Sequence, residues 1–199
     1  MKITRLETFV VKIPRVDAKS DAKQRDITRD YFVLDRALSV VYSRNIETLF
    51  VKITTDDGLV GWGEVLAPTC PEVAASIIKT ALAPVLLGEN PLCNQMLWDK
   101  MLSMFRVRGY TGGFLMDAMA GIDIALWDLK GKALNLPCYL LMGGQARNNV
   151  PIYISSIAGA TIDERMDSIA ALVSQGNRAI KLHAVGTSWR DALEMLRAI

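Results

Sequence analysis

The chain has 199 residues, enough for one large domain or two small ones, and 51% of them are hydrophobic, so a real core can form. With 23 basic and 21 acidic residues its formal net charge is +2, a balance that gives no basis for nucleic acid or an anionic membrane as partner. The N-terminus lacks the apolar run of a signal peptide, and no stretch reaches the roughly 18 apolar residues of a membrane span. Cys70, Cys93 and Cys138 are odd in number and form no CxxC, which suits reduced thiols in a cytoplasmic protein better than a disulfide frame.

The first half mixes strands and helices. ITRLETFVVKI (3–13) is rich in β-branched residues and predicts a strand. TLFVKITTDDGLVGWGEV (48–65) predicts a hairpin about the turn signal Asp57-Gly58. Between them, 14–45 predicts a polar lid loop with a charged middle, including Arg25 and Arg29. Its later part, YFVLDRALSVVYS, is apolar enough to be ordered and to hold a short strand.

Helices follow. Pro71 suits a first turn, 72–82 carries helix formers, and Pro84 is placed to end or kink the helix. PLCNQMLWDKMLSMF (91–105) predicts a second helix. FLMDAMAGIDIALWDLKGKAL (114–134) predicts a third, with Leu115, Ala118, Ile122, Leu126, Leu129 and Ala133 at helical spacing. That stripe reads as core, and the small Gly121 and Ala125 would let another element come close.

After Pro137 the pattern becomes strand, helix, strand, helix. VPIYISS (150–156) predicts a strand. Thr161 and Glu164 form a capping box for a helix striped by Ile162, Met166, Ile169 and Val173 and stopped near Gly176. RAIKLHA (178–184) predicts the next strand, and Ser188 opens another helix. Short loops and this alternation indicate a parallel sheet or an α/β barrel.

Side chains alternate along a strand, so Lys181 and His183, the only histidine, share one face while Ile180 and Leu182 share the other. On spacing alone a solvated face is the default for such a pair. In an α/β barrel the same positions, near the C-terminal end of a strand, are where catalytic groups sit. Ser155 and Ser156 hold the corresponding end of the preceding strand.

AMAGIDIALWDLKGKALNLPCYLLMGG (118–144) resembles the domain junction of the mandelate racemase/muconate lactonizing branch of the enolase superfamily. VKITTDDGLVGWGE (51–64) resembles the hairpin of that family's capping domain, and VPIYISS and AIKLHAVG resemble its first two barrel strands. The resemblance runs over essentially the whole chain and is loosest in 14–45. It implies an α+β capping domain (1–148, with lid loop 14–45) followed by the start of an α/β, TIM-type barrel (149–199). The barrel would be incomplete, since a TIM barrel takes about 250 residues.

The resemblance further implies Mg²⁺-dependent abstraction of the proton α to a carboxylate, through an enediolate. Such a carbon acid is very weak, and cationic groups must neutralise the second negative charge as it forms. The pairing of a Lys or His base with Mg²⁺ is a general property of enolase-superfamily sites, and it reaches this chain through the resemblance alone. In much of the branch the second barrel strand ends in Lys-x-Lys. By position Lys181 would be the electrostatic lysine facing the substrate carboxylate, and His183 would take the acid/base position. Histidine is a chemically sensible replacement, because its ordinary pKa is about 6.5 against about 10.4 for lysine. His183 as a substrate-orienting or a structural group stays open.

Ser155 aligns with a position that touches substrate in some relatives, and a serine capping local backbone is an equal alternative. Arg25 and Arg29 would pair with a substrate carboxylate, or belong to a solvated loop. Glu64 is either part of a specificity segment or structural. The expected metal ligands, acidic residues of later strands, would lie beyond residue 199. The expectation is then an N-terminal piece, inactive alone, of a homo-oligomeric enzyme that dehydrates a sugar acid. The alternatives are a racemase, epimerase or cycloisomerase of the same chemistry, and a non-catalytic member.

Overall fold

A computed structural model describes residues 1–15, 24–34, 40–157, 159, 161–182, 190, 193 and 197. The chain forms two compact units, Met1–Gln145 and Ala146–Ile199.

In the first unit an antiparallel sheet of order β1-β5-β6 is built from β1 (Ile3–Pro14), β5 (Asn45–Thr55) and β6 (Val60–Val65). The predicted hairpin is β5 and β6, turning at Gly58 with φ +83°. Period-two patterning sends Glu47, Leu49, Val51, Ile53 and Thr55 of β5 inward, each buried. On β6 the inward positions are Gly61, Gly63 and Val65.

The glycines decide how the sheet meets the long helix α4 (Phe114–Leu134). A Cβ on Gly61 would lie 2.3 Å from Ala125 O, and one on Gly63 would lie 2.0 Å from Gly121 O. A Cβ on Gly121 would in turn lie 2.3 Å from Val65 Cγ2. Strand and helix therefore touch backbone to backbone, as the small residues of α4 led one to expect. The predicted stripe is otherwise core: Leu115, Ala118, Ile122, Leu126 and Leu129 are buried, and Ala133 is half-buried. Asn135 ends α4 in the left-handed region (φ 52°), Leu136 N–H donates to Gly131 O at 2.9 Å, and Pro137 bars continuation.

The helix predicted over 72–82 runs further than expected. It comprises α1 (Pro71–Ile77), a π-helical turn (Ile78–Leu82) and α2 (Ala83–Leu86). Pro84 does not end it. Proline has no N–H to give, and the turn before it widens so that Ala83 N–H reaches Ile78 O. The next helix, α3, spans Asn94–Arg106, and the short α5 spans Cys138–Leu141. Pro91, Leu92 and Cys93 lie outside α3, correcting the predicted start at 91.

The segment 14–45 is not only a loop. Its described residues form a second antiparallel sheet of β2 (Gln24–Asp26), β3 (Tyr31–Leu34) and β4 (Val41–Ser43). The apolar part expected to hold a strand supplies two, and Phe32 stacks on Tyr42 with centroids 5.8 Å apart. A polar cluster ties this sheet to β1, β5 and α1. Glu47, its side chain wholly buried, accepts from Tyr31 Oη (2.9 Å) and Ser43 Oγ (2.5 Å). Lys12 Nζ donates to Tyr31 Oη (3.2 Å) and pairs with Glu72 (2.8 Å).

Burial works against the Lys12 charge, but the hydrogen bonds to Glu72 and Tyr31 and the nearby carboxylates outweigh it and raise its pKa. Burial chiefly raises the Tyr31 hydroxyl, partly offset by the hydrogen bond from Lys12. For Glu72 a desolvation penalty is overcome by the hydrogen bond from Lys12, which lowers it.

In the second unit β7 (Ile154–Ser155) and β8 (Ile180–Lys181) pair in parallel, joined through α6 (Ile162–Ser174). Both strands are shorter than predicted. Residues 150–153 have no strand partner among the described residues, and His183 and Ala184 lie outside those residues, as does Ser188. The cap is as predicted on its threonine side: Thr161 Oγ1 accepts from Glu164 N–H at 3.2 Å. Gly176 follows the helix at φ +90°.

Two outcomes are expected. Gly63→Ala should destabilise the fold by about 3 kcal/mol or more in urea titrations, because neither backbone at the contact can yield cheaply. Gly58→Ala, in open space, should cost only roughly 1 kcal/mol for its left-handed backbone. Equal losses would disprove the contact. For Glu72, a folded pKa below the ordinary 4.5 means its contribution is full above that pH and is lost as pH falls through the depressed value. The stability advantage of wild type over Glu72→Gln should therefore shrink between about pH 6 and about pH 2; a constant difference would refute the pairing with Lys12.

Candidate functional site

Two groups of residues carry the chemistry expected of this chain, one in each unit. In the second unit Ser155 and Lys181 are register partners on adjacent parallel strands. Paired residues of a parallel ladder project to the same face, so hydroxyl and ammonium share it. Ile154 and Ile180, also paired, are half-buried on the other face. Lys181 is exposed, and its Nζ stands 5.9 Å from the ring centroid of Tyr153, two residues before Ser155. Ser156, next along, takes a left-handed backbone (φ 61°), so the chain turns sharply just past the rung. The expected partner of Lys181 across its own strand, His183, lies outside the described residues.

An exposed ammonium beside a hydroxyl is suited to receive a carboxylate. The lysine supplies the charge and an aromatic ring restrains its swing. Among the described residues no three His, Cys, Asp or Glu side chains converge, so these residues do not fit a divalent cation. The chemistry assigned to them is electrostatic and hydrogen-bonding only.

In the first unit Arg25 sits in the middle of β2, opposite Val33 of β3, and Arg29 lies in the turn between the two strands. Both are exposed. Two nearby charges are engaged with each other: Arg44 pairs with Asp26 and covers the Phe32 ring at 5.1 Å. Glu64 has a structural partner, accepting from Thr48 Oγ1 at 2.7 Å.

The Lys12–Tyr31–Glu47 cluster was not anticipated, although the sequence carries a signal for it. Lys12 and Glu47 occupy the inward phases of strands that, apart from Thr8 and Thr55, are apolar on that side, and they are direct cross-strand partners. Opposite charges at two inward positions that pair are a mark of a buried polar site.

Residues 36–143 match the family described as mandelate racemase / muconate lactonizing enzyme, N-terminal domain. A candidate isomerase from Sinorhizobium meliloti is similar at 34% identity and TM-score 0.88, over 98% of this chain and 52% of its own. The 3,6-anhydro-D-galactonate cycloisomerase of Zobellia galactanivorans is similar at 28% identity and TM-score 0.74, over 100% of this chain and 47% of its own. A racemase from Streptomyces coelicolor A3(2), solved with bound magnesium, shares the fold at 24% identity and TM-score 0.75, over 98% of this chain and 50% of its own. The chain thus spans about half the length of the solved structures it matches. Its α+β sheet-and-helix unit, ending in the α4 junction, is a capping domain, and the chain belongs to the mandelate racemase/muconate lactonizing enzyme branch of the enolase superfamily.

Proposed function

We propose that the protein carrying this chain abstracts the proton α to the carboxylate of a small acid, with sugar acids the favoured class. The observation that supports it is the Ser155–Lys181 rung, which sets an ammonium and a hydroxyl side by side at the end of two parallel strands. Lys181 takes the electrostatic role: it holds the substrate carboxylate and stabilises the charge that builds there when the α-proton leaves. Ser155 donates a hydrogen bond to the same group. His183 acts as acid or base. Arg25 and Arg29 select a substrate with an anionic group. Magnesium is the proposed cofactor; acidic residues of later strands, beyond residue 199, would hold it, and it would neutralise the second charge when bound.

Dehydration of a sugar acid is the first proposed fate of the resulting enediolate, favoured by a polar, arginine-bearing sheet. Cycloisomerisation or racemisation is the second. It is favoured by the similarity to an enzyme whose named substrate, 3,6-anhydro-D-galactonate, is itself a sugar acid derivative. A cytoplasmic location suits the free thiols Cys70, Cys93 and Cys138, and no helix of the described residues is long and apolar enough to cross a membrane.

A screen of sugar acids with Mg²⁺ in D₂O separates these fates. Loss of water to a 2-keto acid identifies a dehydratase, and deuterium uptake with inversion identifies a racemase. Lys181→Met should lower kcat/KM by about 100-fold or more. His183→Asn should abolish α-proton exchange, and exchange at the wild-type rate would remove histidine from the acid/base role.

Homo-oligomerisation is also proposed. The outward face of the β1-β5-β6 sheet leaves Phe9, Ile13, Ile46 and Trp62 between 41% and 56% exposed, more apolar surface than a solvated face needs. Sedimentation of wild type against Phe9→Asp/Trp62→Glu checks this: the wild type should be larger, and equal masses would eliminate that face as an interface.

A further inference from the structure

The Tyr31 hydroxyl is a meeting point of segments distant in the chain. It donates to Glu47 Oε2 on β5 (2.9 Å) and accepts from Lys12 Nζ on β1 (3.2 Å). It also accepts from the backbone N–H of Cys70, which leads into α1 (3.0 Å). A phenol can do all of this at once, giving one hydrogen bond and receiving two. The partners are firmly held in turn: Glu47 also accepts from Ser43, and Lys12 continues to Glu72.

On its backbone side Tyr31 organises the turn that carries Arg29. Ile27 and Thr28 N–H both donate to Tyr31 O, at 3.0 and 3.1 Å. Thr28 Oγ1 accepts from Asp30 N–H and from Tyr31 N–H, at 3.3 and 3.2 Å. Arg44 N–H, from beyond β4, closes on Asp30 O at 2.8 Å. Arg25 is the register partner of Val33, two residues along the strand that Tyr31 begins. Arg29 thus lies within the turn that Tyr31 closes, and Arg25 stands opposite Val33, two residues along the strand from Tyr31. Without its hydroxyl the small sheet would keep its covalent passage through Arg44 into β5, the Ser43–Glu47 bond, and the bond from Arg15 N–H to Arg44 O. The corner bearing the arginines would keep the bonds of Arg44 to Asp30 and Asp26 but lose the hydroxyl bonds to Glu47 on β5, Lys12 on β1 and Cys70 before α1.

We propose that Tyr31 is a positioning residue: its three hydroxyl hydrogen bonds set the orientation in which Arg25 and Arg29 meet an anionic group of the substrate. This rests on the substrate-selecting role proposed above for the two arginines. Tyr31 itself touches no reacting atom. It acts by restricting the β2–β4 sheet to one pose, so that the arginines need not be ordered anew each time substrate binds.

Hydrogen exchange and kinetics together test it. In Tyr31→Phe the amides of β2 and β3 should exchange about tenfold faster while those of β5 and β6 keep their protection. Glu47→Gln keeps an acceptor for Tyr31 but drops the charge facing Lys12, and should give a smaller acceleration, about threefold, at the same amides. If neither variant shows acceleration confined to the small sheet, Tyr31 does not fasten it and the idea is overturned.

With a sugar acid that the D₂O screen finds to be turned over, Tyr31→Phe should raise KM roughly tenfold and leave kcat within about twofold. In an Arg25→Ala/Arg29→Ala background the same change should have no further effect on KM. Should the double arginine variant leave KM unchanged, the role of the arginines is what fails. If that variant raises KM and Tyr31→Phe does not, positioning by Tyr31 is refuted even where exchange shows the sheet loosened.

Discussion

The absence of side chains at Gly61, Gly63 and Gly121 is the constraint on which the first unit is built. It lets β6 lie directly on the backbone of α4, and this contact fixes how the sheet and the helical layer stack. Dispersion falls off steeply with separation, so a contact this close lets Val51, Val65, Ile122, Ala125 and Leu129 fill the same interior without gaps. The polar bonds are arranged around that contact. Asp128 accepts from Trp62 N–H (2.8 Å), and Lys132 donates to Val60 O (2.8 Å) and pairs with Asp128 (2.7 Å). A helix held further away could not reach either strand group. With β6 set, β5 and β1 follow by ladder pairing, and the inward Glu47 and Lys12 arrive where Tyr31 can join them.

Much of this was legible in the sequence for reasons that are local. The hairpin is marked by Asp57-Gly58 between alternating strands, and α4 by a 21-residue helical stripe. Gly121 and Ala125 announced a close neighbour by being small inside a core stripe. What they could not announce was which neighbour. Gly61 and Gly63 sit in a strand, and a glycine in a strand is equally a bulge or a turn until its partner is known. The π-helical turn before Pro84 is similar: proline forbids a normal bond, but whether the chain stops or widens depends on the packing of Ile78, Leu82 and Leu86 into the core.

The candidate site was legible to a different depth in each unit. Alternation placed Lys181 opposite Ile180, and the strand-helix-strand grammar placed Ser155 on the neighbouring strand; the ladder makes them one rung. The segment 14–45 was harder. Its strands are three or four residues long and flanked by charge, so only the apolar YFVLDRALSVVYS signalled a strand, and β2 did not rise above a loop. Its order comes from tertiary bonds, with Tyr31, Glu47 and Lys12 drawn from positions up to 35 residues apart in the chain. No window of sequence contains such information.

The bonds from α4 to β6 have a consequence for the molecule's behaviour among its own kind. Exposed sheet edges invite pairing with strands of other molecules, the first step towards aggregates. Here a donor and an acceptor of β6, at Trp62 and Val60, are already occupied by Asp128 and Lys132. At the far side of the sheet Ile3 exchanges backbone bonds with Gly88 and Glu89 (2.8 and 2.9 Å), so β1 is also occupied where it begins. The helix α4 and the turn after α2 thus each blunt one margin of the sheet, and a newly made chain that has packed α4 has also withdrawn a donor and an acceptor of β6 from its neighbours.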